Sequence, residues 1–249
     1  MNILLTNDDG YKASGINELF EALSTEHKVF LIAPRENCSG MSAAISLRKE
    51  IKVEEISKNI FSVSGTPADC SYLGLLSVIP EPIEMIVSGI NLGANLGEDI
   101  FYSGTVGAAI AGRRLNYVPV AFSVAAFNPK NLKFISEQSL LITNQISKLS
   151  ADQNLLVNVN FPDLPSTEIE GTRITSLGKR GTPDTPDLIR EKNSSKFYSF
   201  GPSGSLLPGQ AGTDIQAIEQ NYISISILDY NLSSDIARWD FYKEIFNCE

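Results

Sequence analysis

Apolar runs and helical patterns alternate along the first two thirds of the chain. Buried strands are predicted where apolar residues follow one another, and amphipathic helices where apolar residues recur every three or four positions. Strands that alternate with helices are typical of a largely parallel, doubly wound sheet in an α/β fold. The predicted strands are 2–5, 29–34, 84–87, 118–124 and 155–161, and the predicted helices are 16–23, 67–78, 104–115 and 131–149.

A β-hairpin is predicted within this alternation. Residues 50–56 alternate polar and apolar side chains, and a turn at Lys58-Asn59 leads into a short strand at 61–63. The hairpin is therefore an insertion between the second strand and the helix at 67–78, for which Thr66 is the expected cap.

The last third of the chain has a different composition. Residues 162–208 are dense in Pro, Gly, Ser and Thr, and we predict strands at 173–176 and 196–200 as parts of a projecting hairpin or arm. Such an arm either serves contacts between subunits or is a plain surface excursion. A strand at 221–228 and a helix at 236–246 are predicted to follow.

Four polar or glycine-rich segments directly follow predicted strands. In a doubly wound sheet the carboxyl ends of parallel strands meet at one crevice, so we expect these segments to lie together. They are 6–10 (TNDDG), 37–40 (NCSG), 64–69 (SGTPAD) and 88–105 (SGINLGANLGEDIFYSGT).

The first of these segments carries two adjacent carboxylates. Asp8 and Asp9 would raise each other's pKa when crowded, and a divalent cation is the usual means of holding both ionised. Ser39 can add a hydroxyl and Asn91 an amide oxygen. Such an all-oxygen set suits Mg²⁺, Mn²⁺ or Ca²⁺ and is poor for zinc or copper. Taken alone, the aspartate pair could also be a solvated turn.

The fourth segment ends where a helix is predicted to begin. Ser103, Gly104 and Thr105 would present free N–H groups at a positive helix end, and glycine lets an anion approach the backbone. A hard metal facing such a helix start is typical of a phosphate site. Each segment alone could be a cap or a turn, and Glu98 and Asp99 could be surface charges. The interpretation as a metal and phosphate site depends on all four segments occurring at successive strand ends.

Composition restricts the remaining possibilities. The net charge of −9 disfavours binding to nucleic acid or to anionic membranes. Neither a signal peptide nor an apolar run long enough for a membrane span is visible, and three irregularly spaced cysteines (Cys38, Cys70 and Cys248) favour a reducing cytoplasm. The single histidine, His27, lies where a helix should end and a strand begin, so we expect it to have a surface or helix-end role. This disfavours histidine triads and three-histidine zinc sites.

Taken together, these segments resemble the survival protein E (SurE) family, the metal-dependent acid phosphatases and nucleotidases of stationary-phase survival. The resemblance runs from residue 1 to about 228. It implies a Rossmann-like, three-layer α/β/α core and a C-terminal arm that is exchanged between the subunits of a dimer or tetramer. The motifs that carry it are LLTNDDG, APRENCSG, SGTPADCSYLG, VSGINLGANLGEDIFYSGTVGAAIAG, and AGTD followed by YISISIL.

The resemblance also implies an activity and a site. Members hydrolyse nucleoside 5′- and 3′-monophosphates, and some also cleave short polyphosphate. The family pattern places one divalent cation on Asp8, Asp9, Ser39 and Asn91, and the substrate phosphate on Asn95, Ser103, Gly104 and Thr105. Two departures are visible: Thr6 replaces the usual serine and keeps the hydroxyl, and the last strand ends Ser-Ile-Leu-Asp rather than Thr-Pro-Leu.

Several questions stay open at the level of sequence. Asp8 or Asp9 could act as general base or as nucleophile, and a nucleotide-binding module without catalysis would carry the same motifs. A signalling receiver domain also has paired aspartates, but it needs a lysine after a late strand, where this chain has Ala125-Ala126-Phe127. A dehalogenase-type phosphatase would have Asp-x-Asp. We expect one domain over 1–249, with a core at 1–161 and the arm, strand and helix at 162–249.

Overall fold

A computed structural model of the protein describes residues 1–148, 155–201, 204–207, 210–229 and 231. The strands are β1 (Asn2–Thr6), β2 (Lys28–Pro34), β3 (Val53–Ser57), β4 (Ile60–Val63), β5 (Met85–Leu92), β6 (Val120–Val124), β7 (Leu155–Phe161), β8 (Gly171–Thr175), β9 (Asp187–Lys192), β10 (Ser195–Ser199) and β11 (Tyr222–Asp229). The helices are α1 (Ser14–Ser24), α2 (Pro67–Leu73), α3 (Gly104–Ile110), α4 (Leu132–Ile146) and α5 (Asp214–Glu219). A π-helical turn (Gly74–Val78) continues α2, and 3₁₀ turns cover Gly97–Phe101 and Ser166–Glu168.

Nine of the strands form one sheet, in the order β3-β4-β2-β1-β5-β6-β7-β11-β8. All neighbours from β4 to β7 are parallel. Antiparallel pairs occur toward the two edges, where β3 meets β4 and β11 meets β7. The prediction of a mostly parallel, doubly wound sheet with an inserted hairpin is confirmed.

The alternation of side chains along β1 builds a core on each face of this sheet. Ile3 and Leu5 pack in a cluster with residues of α1 and α4, whereas Leu4 packs in a second cluster that includes Cys70 of α2. Successive side chains of a strand point to opposite faces, so a fully apolar strand must be covered on both. The result is the three-layer arrangement expected from the sequence.

Two elements that lead to the site differ in length from their predictions. Strand β5 continues to Leu92 instead of ending at Val87, because an irregularity between Ser88 and Asn91 lets pairing with β6 resume. Gly89 makes this possible: its φ is +128°, and an added Cβ would lie 2.3 Å from the carbonyl oxygen of Phe122. Helix α3 ends at Ile110 rather than at residue 115.

The pairing predicted for the arm is wrong. The strand expected at 173–176 is β8, which joins the main sheet beside β11, because buried Thr175 bonds the hydroxyls of Ser224 and Ser226. The strand expected at 196–200 is β10, and its partner is β9, which was not predicted. The helix predicted at 236–246 and Cys248 lie outside the described residues.

None of the helices within the described ranges is long and apolar enough to cross a membrane.

Candidate metal and phosphate site

The aspartate pair lies at the carboxyl end of β1, between the ends of its two parallel neighbours, β2 and β5. The backbone N–H of Cys38, after β2, donates to the carbonyl oxygen of Asp8 at 2.7 Å. The N–H of Leu92, at the end of β5, donates to Oδ2 of Asp9 at 2.9 Å. The segments that carry Ser39 and Asn91 are therefore held directly against the pair.

Asp8 is buried, with 3% of its surface exposed, and it lies against the start of α3. The hydroxyl of Thr105 donates to Oδ1 of Asp8 at 2.5 Å. Burial raises the pKa of Asp8, while hydrogen bonds from Thr105, Gly104 and its own N–H act in the opposite direction. A Cβ at Gly104 would lie 2.7 Å from the Cβ of Asp8, so only glycine fits there without moving the carboxylate.

Asp9 is partly buried and is oriented by two donors. Besides the N–H of Leu92, the side-chain amide of Asn37 donates to its Oδ1 at 3.2 Å. The amide oxygen of Asn37 accepts the N–H of Ser39 at 2.9 Å, so Asn37 links Asp9 to the exposed Ser39. Burial, and next the charge of Asp8, raise the pKa of Asp9.

These donors fit a hard divalent cation. Burial raises the pKa of both adjacent carboxylates, and a nearby positive charge would favour the ionised form of each. The amide nitrogen of Asn91 donates to the carbonyl of Gly93 at 2.7 Å, so a cation would bind through the other amide atom, Oδ1. Within the described ranges no group of three or more His, Cys, Asp and Glu side chains could hold a metal. The candidate set is of another kind, because only Asp8 and Asp9 are carboxylates and the other two donors are the hydroxyl of Ser39 and the amide of Asn91.

The residues predicted to bind phosphate lie on the loop after β5 and on the start of α3. Ser103 caps α3, since its Oγ accepts the N–H of Val106 at 3.1 Å, and its own hydroxyl proton can still be donated to an anion. Buried Asn95 donates through Nδ2 to Oγ of Ser123 at 2.9 Å. A second hydrogen on that nitrogen can serve a phosphate oxygen. The hydroxyl of Thr105 is instead directed to Asp8.

The family model described as survival protein SurE matches residues 3–184. The chain belongs to the SurE family.

Curated SurE relatives match along nearly the whole chain. Proteins named 5′-nucleotidase SurE from Vesicomyosocius okutanii and Pseudoalteromonas atlantica are 38% and 37% identical to it, each over 96% of this chain, and over 97% and 98% of their own length. The crystal structure of the SurE protein from Aquifex aeolicus superposes with a TM-score of 0.85 at 32% identity, over 99% of this chain and 100% of that one. The predicted family and fold are confirmed.

Glu98 and Asp99, for which the sequence left a role as surface charges open, both have structural partners in this SurE chain. Asp99 forms an ion pair with the largely buried guanidinium of Arg180, and Glu98 accepts the backbone N–H of Arg180 at 3.1 Å. The 3₁₀ turn Gly97–Phe101 is thereby fixed to the segment that follows β8. His27, as expected, has a structural position, with Nε2 at 2.9 Å from Oδ1 of Asn144 in α4.

Sequence reasoning missed four residues that shape the site. Asn37 orients Asp9 and Ser39. Asn158 and Asn160 of β7 bind the backbone of Asn95, and Asp214 of α5 accepts the N–H of Gly97. The available signal was the pair of asparagines inside an otherwise apolar strand, LLVNVNF, where buried polar groups require specific partners.

A cavity of about 720 Å³ is lined in part by Cys38, whose backbone N–H bonds the carbonyl oxygen of Asp8. Its walls combine apolar side chains of the segment after Ser39, such as Met41, Ile45 and Leu47, with Val63 at the end of β4. Small-molecule sites commonly have volumes of roughly 300–1,000 Å³ and largely apolar linings. The charged residues Arg35, Glu36 and Lys49 also line this cavity, and Cys38 connects it to the candidate site.

Proposed function

We propose that this protein is a divalent-metal-dependent phosphomonoesterase that hydrolyses nucleoside 5′-monophosphates, with 3′-monophosphates and short polyphosphate as further candidate substrates. The observation that carries the proposal is the contact of Asp8 with Gly104 and Thr105, which places a carboxylate pair against a helix start. The predicted 5′-nucleotidase class is confirmed by the family and by the names of its curated members. Metal dependence and the wider substrate range belong to the proposal.

The chain's own residues would divide the work between holding and donating. Asp8, Asp9, Ser39 and Asn91 would hold one Mg²⁺ or Mn²⁺, and Ca²⁺ could occupy the same oxygens. Such a cation supplies Lewis acidity to a phosphoryl oxygen and makes water more acidic. The single histidine, His27, contacts Asn144 of α4, so we assign proton transfer to the aspartate pair. We assign this role to Asp9, because it is more exposed than Asp8.

The phosphate would be oriented from the other side of the site. The hydroxyl of Ser103 and the amide of Asn95 would donate to its oxygens, and the absence of a side chain at Gly104 would leave room at the helix start; each of the two donors keeps a hydrogen that its protein partner does not use. Fixed donors aimed at oxygens that gain charge stabilise the transition state without reorganisation. We assign the nucleoside to the cavity lined by Cys38, because several of its walls are apolar and Cys38 bonds the backbone of Asp8.

A phosphate-release assay tests this function. Wild-type protein should release phosphate from 5′-AMP with Mn²⁺ or Mg²⁺ and lose this activity in EDTA, and 3′-AMP and tripolyphosphate should be assayed in parallel. Asp9→Asn should abolish metal-dependent release, whereas Asp187→Asn on exposed β9 should not change it. Full turnover of Asp9→Asn in clean protein, or of the wild type without metal, would contradict the proposal. Binding of AMP without turnover would identify a non-catalytic module.

We also propose that the protein is a cytoplasmic homodimer or homotetramer that takes part in survival under stress. The β9–β10 hairpin supports the oligomer, since it is exposed and carries large apolar side chains. These are Leu188, Ile189, Phe197 and Tyr198, with Phe200 directly after β10.

A further inference from the structure

The backbone of Asn95 is held by side chains rather than by a neighbouring strand. The N–H of Asn95 donates to Oδ1 of Asn160 at 2.8 Å, and Nδ2 of Asn160 donates back to the carbonyl of Asn95 at 3.0 Å. Nδ2 of Asn158 donates to the same carbonyl at 2.9 Å. Both backbone polar groups of Asn95 are therefore satisfied by amides of β7.

Two residues further along, the same loop is held by a carboxylate. Oδ2 of Asp214 accepts the N–H of Gly97 at 2.7 Å, and Oδ1 accepts the N–H of Gly178 at 2.8 Å. The backbones of Gly97 and Gly178 approach so closely that a Cβ at Gly97 would lie 2.5 Å from the carbonyl oxygen of Gly178. We call Asn158, Asn160 and Asp214 the loop clamp.

The loop clamp places three polar side chains in the interior of the protein, which costs free energy unless each is paired. All three side chains are fully buried, and β7 is otherwise apolar, with Leu156, Val157, Val159 and Phe161. Buried polar groups cost free energy unless they are fully paired, and in the described part of the chain Oδ1 of Asn158 is buried without a partner. Apolar side chains at 158 and 160 would leave the N–H and C=O of buried Asn95 without these partners, so the two asparagines serve the conformation of this loop rather than the packing of the sheet.

We propose that the loop clamp consists of positioning residues that fix Asn95 for phosphate binding, an inference that rests on the proposed function. Ser123 holds one hydrogen of the Asn95 amide, and the clamp holds both of its backbone groups. The donor for phosphate is thus set before the anion arrives, which removes an ordering cost from binding. None of the hydrogen bonds of the clamp includes Asp8, Asp9, Ser39 or Asn91, so the clamp acts on the anion and not on the cation.

Two titrations of the full-length protein separate these effects. Inorganic phosphate is titrated in the presence of excess Mg²⁺, and Mn²⁺ alone is titrated without phosphate. Asn160→Leu keeps the branching of the side chain but removes all its bonds to Asn95. It should weaken phosphate binding by about tenfold, which corresponds to about 1.4 kcal/mol, and leave the Kd for Mn²⁺ unchanged. Asp214→Asn, which turns one acceptor into a donor, should have the same selectivity.

The matched control is Ser226→Ala. Ser226 is buried on β11 opposite Asn158 and bonds Thr175, but it does not contact Asn95, so its loss should lower stability without changing either Kd. Two results would overturn the proposal. In the first, Asn160→Leu unfolds at the same urea concentration as Ser226→Ala but binds phosphate as tightly as wild type. In the second, Asn160→Leu loses Mn²⁺ binding and phosphate binding in parallel. If Asn160→Leu does not fold, Asp214→Asn decides by the same criteria.

Failure of the proposed function would be distinguishable. A wild-type protein that binds phosphate but does not hydrolyse 5′-AMP would refute catalysis while the clamp is still tested by the two titrations. A wild-type protein that binds no phosphate in Mg²⁺ would refute the clamp's role as well.

Discussion

The aspartate pair makes the metal-free protein sensitive to pH in a definite direction. Burial raises the pKa of Asp8 above 3.8, and burial together with the charge of Asp8 does so for Asp9. The folded state therefore binds more protons than the unfolded chain at pH values between 3.8 and the raised ones. The contribution of the pair to the free energy of unfolding is greatest at low pH and is lost as pH rises through this window.

Asp8→Asn should remove much of this dependence. In EDTA, its free energy of unfolding relative to wild type should increase between about pH 4 and about pH 8, as measured by urea denaturation. Asp163 provides a control of opposite sign. Burial would raise the pKa of Asp163, but the N–H of Lys130 and the amide groups of Asn131 lower it. The free energy of unfolding of Asp163→Asn should therefore fall further below that of wild type at high pH than at low pH. Equal pH profiles for Asp8→Asn and wild type would contradict the prediction.

Gly104 is predicted to be indispensable because of space rather than flexibility. A methyl group at this position would lie 2.8 Å from Oδ2 of Asp8 as well as 2.7 Å from its Cβ, so the carboxylate must move. Since displacements of about 1 Å in a reacting group can cost roughly 100-fold in rate, Gly104→Ala should lower kcat/KM for 5′-AMP by about that factor. Gly201→Ala, where a Cβ would meet no atom within 4 Å, should leave it unchanged. Unaltered kcat/KM in Gly104→Ala would mean that Asp8 is not part of the reacting centre.

Predictability at this scale depends on how far apart the interacting residues lie in sequence. The aspartate pair and Ser103–Thr105 are predictable as candidate site residues because a strand end and a helix start are visible in neighbouring residues. Asn160 was not, because its partner Asn95 is 65 positions away and its contacts are to backbone atoms. The role of Thr105 shows the same limit, since the local pattern indicates a phosphate donor and the structure directs its hydroxyl to Asp8.

Among the elements, α2 holds the segment that follows Ser39. Thr66 and Asp69 form a reciprocal capping box, with Asp69 N–H to Thr66 Oγ1 at 3.1 Å and Thr66 N–H to Asp69 Oδ2 at 2.9 Å. The second carboxylate oxygen of Asp69 accepts the N–H of Ser46 at 2.9 Å, and the hydroxyl of Thr66 donates to the carbonyl of Ala44. The cap of α2 is therefore also the anchor of the segment after Ser39.

Asp69→Ala should loosen this anchor. Loss of the cap and of the acceptor for Ser46 should lower the free energy of unfolding by ~1–3 kcal/mol in urea denaturation. Hydrogen exchange at the amide of Ser46 should accelerate at the same time. Asp187→Ala, on the exposed strand β9, is the control and should change neither quantity. Protection of Ser46 that persists in Asp69→Ala would show that other contacts hold the segment.

Elements of the core were predictable because their patterns are strong, and the failures have physical reasons. The apolar runs of β1 and β2 and the cap of α2 can be recognised from neighbouring residues in the sequence. Helix α5 has six residues, too few for a helical period to emerge, and β9 has a sequence, DLIREK, without alternation. The placement of β8 depends on Thr175 meeting Ser224 and Ser226 about 50 residues later, which no local pattern reports.

For the whole molecule, the net charge and the β9–β10 hairpin act in opposite directions. Like subunits that each carry a charge of −9 repel one another, and salt screens this repulsion over about 8–10 Å. In the proposed oligomer the exposed apolar side chains of the hairpin would provide the attraction, which salt does not weaken. An oligomer held by this hairpin should therefore be at least as stable at high salt as at low salt.

Replacing Ile189, Phe197 and Tyr198 by serine should convert the proposed oligomer to monomers in sedimentation experiments. The hairpin is a separate two-stranded sheet, so the Kd for Mn²⁺ should be retained, which shows that the fold is intact. Leu76→Ser, at a leucine after α2 that is more exposed than any of the three, controls for the loss of apolar surface elsewhere. If the hairpin forms the interface, each of these side chains is buried on assembly and contributes about 1.5–3 kcal/mol. An oligomer that persists after the triple substitution would therefore mean that the interface lies outside the hairpin.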